Sequence, residues 1–451
     1  MNTKQNHQTQ DPIWLKAFRL VFFLIALPFV SFSQEVKVVS LKDAISLGLA
    51  NSKSLALTKN KVAEAEAAYQ QVLDQTLPSA SASGIYNHAE IPNNVLQLGP
   101  GDPIKLPKSA DAYIGMLSVE ELIFAGNKLK YAKESAQLVK KIASLDVDKS
   151  EDEITLAIID AYLNLYKLDA SKSVIGQNIK SLDTQLKQTQ RFFDQGIVTK
   201  NEVLRIQLQR SNVELADLDL DKNRNIVNYN LDILLGLPEQ TLIKTAVLPV
   251  DFMDESGLST YIDSAINNRV ELKQIDYQSQ MLGKNIASIK AGQLPTLGAG
   301  LGAYYVNPSG NFIPGKNEFI TPLTLGLTLS WNIGSLWTTK NKVAEASIKQ
   351  QGTQINKTIV ADQIRAEVNR NYEAYLQSVK KINLLKTAIA QATENENIVQ
   401  SKYENNISPL TDRLDANTQL FQAKINLELA KADAQIAYYN LLKSTGKKII
   451  L

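Results

Sequence analysis

Residues 322–332 read PLTLGLTLSWN, and they alternate strictly between two kinds of side chain. Large apolar residues on one side end in an aromatic ring: Leu323, Leu325, Leu327, Leu329 and Trp331. Small or polar residues fill the other side: Thr324, Gly326, Thr328 and Ser330. A period of two is typical of a β-strand whose faces meet different surroundings. An apolar outside with an aromatic girdle and a polar inside is typical of a transmembrane barrel strand, so we expect leucines facing lipid and threonines facing a lumen.

Three other segments extend this pattern, although a soluble amphipathic hairpin packed on a helix would also alternate. Residues 298–306 form the partner strand, and weaker versions lie at 79–86 and 112–124. The connections 87–110 and 307–321 are rich in Pro, Gly and Asn, and we expect them to face the cell exterior. The strand pattern alone leaves the barrel and the soluble hairpin equally open.

A barrel built from these strands requires several chains. Four strands cannot close a barrel, because the smallest membrane barrels have about eight. An open sheet edge in lipid would leave backbone groups unpaired, at a cost of several kcal/mol each. Two or more copies would therefore share one barrel, and three copies would give twelve strands.

The sequence also predicts very long helices at 128–193 and 337–404, followed by last helices at 199–235 and 410–443. About 65 residues at ~1.5 Å each span roughly 100 Å. The last helix has small and apolar residues at alternating spacings of four and three: Ala416, Leu420, Ala423, Leu427, Ala430, Ala434, Ala437 and Leu441. This seam predicts side-by-side knobs-into-holes packing. It does not distinguish a coiled coil from an ordinary helical bundle.

The chain contains a tandem duplication. Residues 41–79 align without a gap on 258–296, and residues 191–236 align on 401–446 at an offset of 210. The segment YNLDILLG (229–236) thereby faces YNLLKSTG (439–446). This spacing is too long for a solenoid. We therefore predict two structural repeats, at 34–236 and 258–451, joined by a linker at 237–257.

The N-terminus has the pattern of a secretory signal peptide. Lys16 and Arg19 precede the apolar run 20–30, and Ser31-Phe32-Ser33 supplies small residues for a cut before Gln34. A single membrane anchor is the alternative, but the run is much shorter than the ~20 residues that span a bilayer. We expect residues 1–33 to be a signal peptide.

Composition excludes several classes of function. The formal net charge is +2, so no concentrated basic surface indicates a nucleic-acid partner. The absence of cysteine excludes disulfides and thiolate catalysis, and two histidines cannot form a His-rich metal site. No motif indicates an enzyme, and we expect neither a cofactor nor a metal.

At this point the chain resembles the TolC family of outer-membrane efflux and secretion channels. The resemblance covers about residues 36–446 and is carried by the duplicated helix–hairpin–helix–helix order and by residues 192–220 and 402–446. It implies a mainly α fold with a small β part, assembled as a homotrimer. Twelve strands would form a barrel in the outer membrane of a Gram-negative bacterium, continued by an α-helical coiled-coil barrel in the periplasm. The linker 237–257 would lie in the family's equatorial region.

The resemblance also implies roles for the turns before the last helices. These turns match the periplasmic tips that meet an adaptor (membrane fusion) protein. The residues concerned are Gly196, Ile197, Val198, Thr199, Asn405, Asn406, Ile407 and Pro409. The family has Gly in both turns. Here the second turn has Asn406, which also tolerates left-handed geometry.

A pore entrance is implied by further matches. Asp412 and Asp415 match paired aspartates at the narrow opening, where three copies would form a ring that attracts cations. Without the resemblance they would be two solvated acids in the first turn of a helix. Tyr403 and Glu202 match a hydrogen-bonded pair that holds the entrance shut. Ser408 stands where some members carry a locking Arg, so we expect a different latch.

The leading hypothesis is an outer-membrane exit duct of a tripartite efflux pump or a type I secretion system. Such a duct serves an inner-membrane RND or ABC pump through the adaptor, and it does no chemistry. The alternative is a non-enzymatic coiled-coil structural protein of the periplasm or cell surface. A scaffold, however, has no reason to expose the leucines of residues 323–329.

Overall fold

The computed structural model describes residues 36–105, 108–246, 257–307 and 319–449, which form two matching sets of elements. The first set is β1 (Val36–Val39), α1 (Leu41–Asn51), α2 (Lys53–Asp74), β2 (Ser79–Glu90), β3 (Val95–Leu96), β4 (Ile104–Lys105), β5 (Ser109–Phe124), α3 (Lys128–Asp194) and α4 (Lys200–Leu235). The second is β6 (Leu242–Thr245), α5 (Leu258–Asn268), α6 (Val270–Ala291), β7 (Thr296–Asn307), β8 (Leu323–Ser330), α7 (Ser335–Glu404) and α8 (Leu410–Ser444). The predicted signal peptide, about half of the predicted linker and most of the second connection lie outside these ranges.

Two very long helices organise the chain, since α3 has 67 residues and α7 has 70. α3 packs against α2 and α4 of its own repeat and against α6 and α8 of the second repeat. α7 packs against α5, α6 and α8. The fold is therefore mainly helical and duplicated, as the sequence predicts. Among the helices of the described ranges, none is both long enough and apolar enough to cross a bilayer.

The main hydrophobic core lies at the junction of α1, α3, α4 and a small parallel sheet of β1 and β6. Tyr162 of α3 is fully buried there. Its hydroxyl donates to the Val39 carbonyl at 2.9 Å and accepts from the Ala246 N–H at 2.8 Å. One side chain thus attaches both strands of the small sheet to the long helix.

The two repeats end in the same way. Gly236 and Gly446 follow α4 and α8, each with a φ of 68°. A Cβ at Gly236 would stand 2.6 Å from the Cβ of Asn51, and one at Gly446 would stand 2.8 Å from the backbone N of Arg269. Glycine is needed here both for the left-handed backbone and for the close approach of the short helices.

Asp232 is a fully buried carboxyl in the last turn of α4. Its Oδ2 accepts from the Asn228 amide at 3.0 Å, and its Oδ1 has no hydrogen-bond partner among the described residues. Burial disfavours the charged form and raises the pKa of Asp232 to about 6. The ionised carboxylate therefore opposes folding at neutral pH.

We expect Asp232→Asn to stabilise the protein at pH 8. A shift from 3.8 to about 6 corresponds to a gain of about 3 kcal/mol in the free energy of unfolding. Because the folded pKa is raised, the wild type recovers this free energy as the pH falls through 6 towards 4, where the variant loses its advantage. Thermal unfolding at pH 8 and pH 4.5 measures the difference. The exposed Asp219→Asn is the control, and an equal gain at both pH values would contradict the assignment.

The larger sheet is antiparallel with the strand order β2-β5-β7-β8. β2 and β8 are its outer strands, so each has one edge without a partner strand in the described residues. The first pair is longer than the sequence predicts: β2 continues to Glu90 and β5 begins at Ser109. His88, expected in an exterior loop, instead lies in β2, where its Nδ1 is 2.8 Å from Asp111 Oδ1.

Candidate functional site

One face of the four-stranded sheet carries a row of apolar residues from edge to edge, and the next row places Glu121 of β5 beside Ala299 and Ala299 beside Leu327. The register places Leu325 beside Leu301, Leu301 beside Val119, and Val119 beside Ala80. The leucines of β8 are highly exposed in the single chain, at 79% for Leu323, 84% for Leu325, 72% for Leu327 and 71% for Leu329. Such a continuous bare surface requires a covering environment.

Aromatic residues bound this apolar face at both ends. At one end Tyr86 and Tyr113 have ring centroids 5.0 Å apart, and Tyr305 stacks on Phe319 at 4.2 Å. At the other end the indole N–H of Trp331 donates to the Gln293 carbonyl at 2.9 Å. Amphipathic rings at the two borders of an apolar band are the arrangement of a membrane-embedded sheet.

The opposite face of the sheet is small and polar in the half that contains Ser79, Ser118 and Ser330, whereas its other half carries Ile85, Ile114, Met116 and Val306. The hydroxyls of Ser81 and Ser118 are 2.8 Å apart, and the register continues from Ser118 through Gly302 to Thr324. A hollow of about 640 Å³ lies at the end of this face that adjoins the C-terminal end of α2. Its lining includes Ser79, Glu120, Gly298, Gly300, Thr328 and Ser330. The structure therefore places the predicted lumen-facing residues opposite the leucines.

The two turns at the far ends of the long helices have the same geometry. Gly196 has a φ of 73° and Asn406 a φ of 59°, so both are left-handed. The N–H of Ile197 donates to the Phe192 carbonyl at 2.8 Å, and that of Ile407 donates to Lys402 at 2.8 Å. Both isoleucines are exposed, and Val198-Thr199 and Ser408-Pro409 lead into the next helices. The structure thus presents two matching apolar tips.

Tyr403 connects the two repeats just above these tips, and only 4% of it is exposed. Its hydroxyl lies 3.1 Å from Thr189 Oγ1 and donates to Glu202 Oε2 at 3.4 Å. Burial raises the pKa of this phenol, which keeps it protonated as a donor. Tyr403 and Glu202, paired from the sequence, are brought together.

Asp412 and Asp415 occupy the exposed side of the first turns of α8. Ser408 donates a hydrogen bond from its hydroxyl to Asp412 Oδ2 at 2.9 Å. Ser408, which stands where some members of the resembled family carry a locking Arg, thus makes a local contact to an aspartate of its own helix.

Sequence reasoning missed Arg413, which lies between these two acids. It is 3% exposed, its Nη1 donates to Gln188 Oε1 at 2.9 Å, and its guanidinium carbon lies 5.0 Å from the centroid of the Tyr403 ring. The available signal was its spacing, because it stands three residues before Ala416 and so continues the apolar seam of α8.

An apolar stripe runs along the solvent-exposed side of α4. Its members, each more than half exposed, are Leu204, Leu208, Leu215, Leu218, Ile226 and Ile233. They follow one another at helical spacings, so they share one face. In the described residues, no cluster of His, Cys, Asp or Glu could hold a metal ion.

Comparison with known proteins identifies the family. The chain matches no curated protein sequence. Its fold is similar to that of the outer membrane protein VceC from Vibrio cholerae (14% identity, TM-score 0.73, 90% of this chain and 96% of that chain). It is also similar to the CmeC outer membrane channel of Campylobacter jejuni (14% identity, TM-score 0.73, 90% and 85%) and to the MtrE outer membrane channel of Neisseria gonorrhoeae (16% identity, TM-score 0.68, 90% and 88%). A sequence model of the outer membrane efflux proteins matches residues 44–237 and 261–447, which shows that the chain belongs to the outer membrane efflux protein family.

Proposed function

We propose that three copies of this outer-membrane efflux channel protein form one exit duct, which a periplasmic adaptor connects to an inner-membrane RND or ABC pump. The four-stranded sheet carries the proposal, because it has one exposed apolar face and, among the described residues, two edges without a partner strand. β8 of one copy would pair with β2 of the next, so that no edge remains in the bilayer. Twelve strands would then close the barrel around the opposite face.

The helices support assembly through the internal duplication. Within one chain, α3 packs against α6 and α8 of the second repeat. The equivalent helices are α7 for α3, α2 for α6 and α4 for α8. By repeat equivalence, α7 of one copy would pack against α2 and α4 of the next copy. Three copies would then place six repeats around one channel.

The apolar stripe of α4 lies on the surface that this packing requires. Leu204 and Ile226 are equivalent to Leu414 and Ile436 of α8, which pack on clusters that include α3. On α7, Leu384 is 72% exposed and Ile398 is 45% exposed. These residues would cover one another in a ring of copies. A single-chain coiled-coil scaffold gives no reason for either the stripe or the bare leucines of β8.

The tips support the adaptor as the docking partner. The Ile197 and Ile407 side chains are exposed at 48% and 73%, at the end of the helices farthest from the sheet. A cysteine at Ile407, in a chain that has no other cysteine, permits site-specific crosslinking in cells. We expect it to capture an adaptor, with a cysteine at Leu98 of the opposite hairpin as the control. Capture through Leu98 alone would contradict the docking assignment.

The entrance acids provide a prediction about conduction. Three copies of Asp412 and Asp415 would place six carboxylates around one opening, which favours cations. We expect Asp412→Asn with Asp415→Asn to weaken block by a multivalent cation on the order of tenfold, or about 1.4 kcal/mol. Single-channel recording in planar bilayers measures block, with Asp219→Asn as the matched control. Unchanged conductance and block would count against the entrance ring.

A further inference from the structure

The face of the sheet opposite the leucines, which we call the lumen face, changes character along its length. In the half farther from the helices, an aliphatic row crosses this face from edge to edge, in the order Ile85, Ile114, Val306 and Ile320. Ile85 and Ile320, at the two ends of the row, are 50% and 58% exposed. Residues that stand directly opposite each other in antiparallel strands share one face, so these four β-branched side chains lie together.

The strands do not need aliphatic residues at these positions in order to pair. The other half of the lumen face is mostly serine, threonine and glycine, and it continues the same register. In a lumen filled with water the aliphatic row stays uncovered, and each large aliphatic side chain forgoes about 1.5–3 kcal/mol of burial. The row is therefore suited to a molecule that brings apolar surface into the lumen.

The charge on the lumen face has one sign. Glu120 is the only charged residue that the described parts of β2, β5, β7 and β8 place on this face. Its side chain is exposed and lines the hollow of about 640 Å³, together with the exposed Asp74 at the end of α2. No lysine or arginine is among the described residues that line the hollow. The hollow therefore attracts cations and repels anions.

The aliphatic row and the hollow are close enough for one small molecule to reach both. Ile114 and Glu120 are six residues apart on β5, which corresponds to about 20 Å between their backbones. Met116 and Tyr304 stand side by side between them. The Tyr304 ring lies over Gly302, where a Cβ would stand 2.9 Å from Tyr304 Cε2. An apolar path thus leads from the aliphatic row towards the Glu120 carboxylate.

We infer that the lumen face of the sheet is a binding site for cationic amphiphiles, with the apolar body on the aliphatic row and the cationic head at Glu120. This inference rests on the proposed duct and names a class of molecule that the duct accepts. Covering the row removes apolar surface from water on both partners, which stabilises the bound body. The carboxylate decides the sign of the head, because an anionic head would be repelled. Three copies would provide three such sites around one lumen.

Block of single channels in planar bilayers tests both parts of the site with three probes, each added from the side of the barrel. Decyltrimethylammonium has a cationic head and an apolar body, and tetramethylammonium has the head alone. Decyl sulfate has the same body with an anionic head. We expect decyltrimethylammonium to block the wild type at a concentration about a hundredfold below that of either other probe. Equal block by tetramethylammonium or by decyl sulfate would overturn the inference.

Two variants assign the parts of the probe to the parts of the site. Ile85→Thr with Ile114→Thr removes half of the aliphatic row and keeps β-branched side chains in both strands. We expect it to weaken block by decyltrimethylammonium about tenfold and to leave block by tetramethylammonium unchanged. Glu120→Gln should also weaken block by decyltrimethylammonium about tenfold, without weakening block by decyl sulfate. Val119→Thr, a matched change on the opposite face, is the control, and wild-type block in either site variant would overturn the inference.

A labelling experiment distinguishes this inference from the proposed function, and it keeps the aliphatic row and Glu120 intact in case the site variants fail to insert. Ser83→Cys introduces one cysteine into a chain that has none, on the lumen face beside Met116, where the bound body would cover it. In lipid nanodiscs, decyltrimethylammonium should slow the reaction of this cysteine with neutral iodoacetamide about tenfold, and tetramethylammonium should not. Protection in a protein that never conducts would contradict the duct and leave the binding site intact. Normal conduction without protection would overturn the binding site alone.

Discussion

Replacing Leu215 and Leu218 with aspartate is expected to leave the protein monomeric. Both leucines lie on the α4 stripe and are 61% and 64% exposed in the single chain. Covering such a side chain stabilises an assembly by about 1.5–3 kcal/mol. Each substitution removes this term and adds the cost of burying an unpaired carboxylate, which is several kcal/mol. In a closed ring every boundary between copies bears the loss.

The mass of the detergent-extracted protein measures this effect, by light scattering or native mass spectrometry. The matched control replaces the same two leucines with methionine, which conserves volume and apolar character, and it should remain trimeric. A trimer of unchanged stability in the aspartate variant would show that α4 does not form the boundary between copies.

The second large effect concerns the sheet. We expect Leu327→Arg to prevent stable insertion into the outer membrane, and the adjacent Thr328→Arg to permit it. Leu327 lies near the middle of β8 on the apolar face, and Thr328 lines the hollow on the opposite face. An arginine on the lipid side near the bilayer midplane costs about 2–4 kcal/mol. The three copies in one barrel would each contribute this cost.

Membrane fractionation with a heat-modifiability gel measures insertion of both variants. The pair is a strict test because the two residues are neighbours in sequence and receive the same substitution. If both variants insert equally well, or if only Thr328→Arg fails, then the assignment of the lipid and lumen faces is wrong.

How well each strand can be predicted from the sequence depends on the contrast between the side chains of its two faces. β8 was recognisable because leucine alternates there with threonine, glycine and serine. The ends of β2 are harder to predict, because its serine, alanine and glycine residues give little contrast between the two faces of the strand. Its end at Glu90 depends on pairing with Ser109, which the sequence does not reveal locally. The strand order likewise depends on contacts between the repeats.

The tips show the same distinction between local and distant determinants. Asn406 could be anticipated in the left-handed region because that preference belongs to the residue itself, and its φ is 59°. Arg413 could not be separated from the neighbouring exposed acids, because its burial depends on Gln188, which is 225 residues away. Its position in the α8 seam was the only local indication.

Electron cryo-microscopy of the protein extracted from the outer membrane tests the central claim most directly. We predict a threefold ring in which twelve strands enclose a lumen and the long helices continue it as a tube. The Arg413 side chains should lie inside each protomer, at the boundary between its two helical hairpins. Single chains, or a solid helical bundle without a central channel, would contradict the proposed duct.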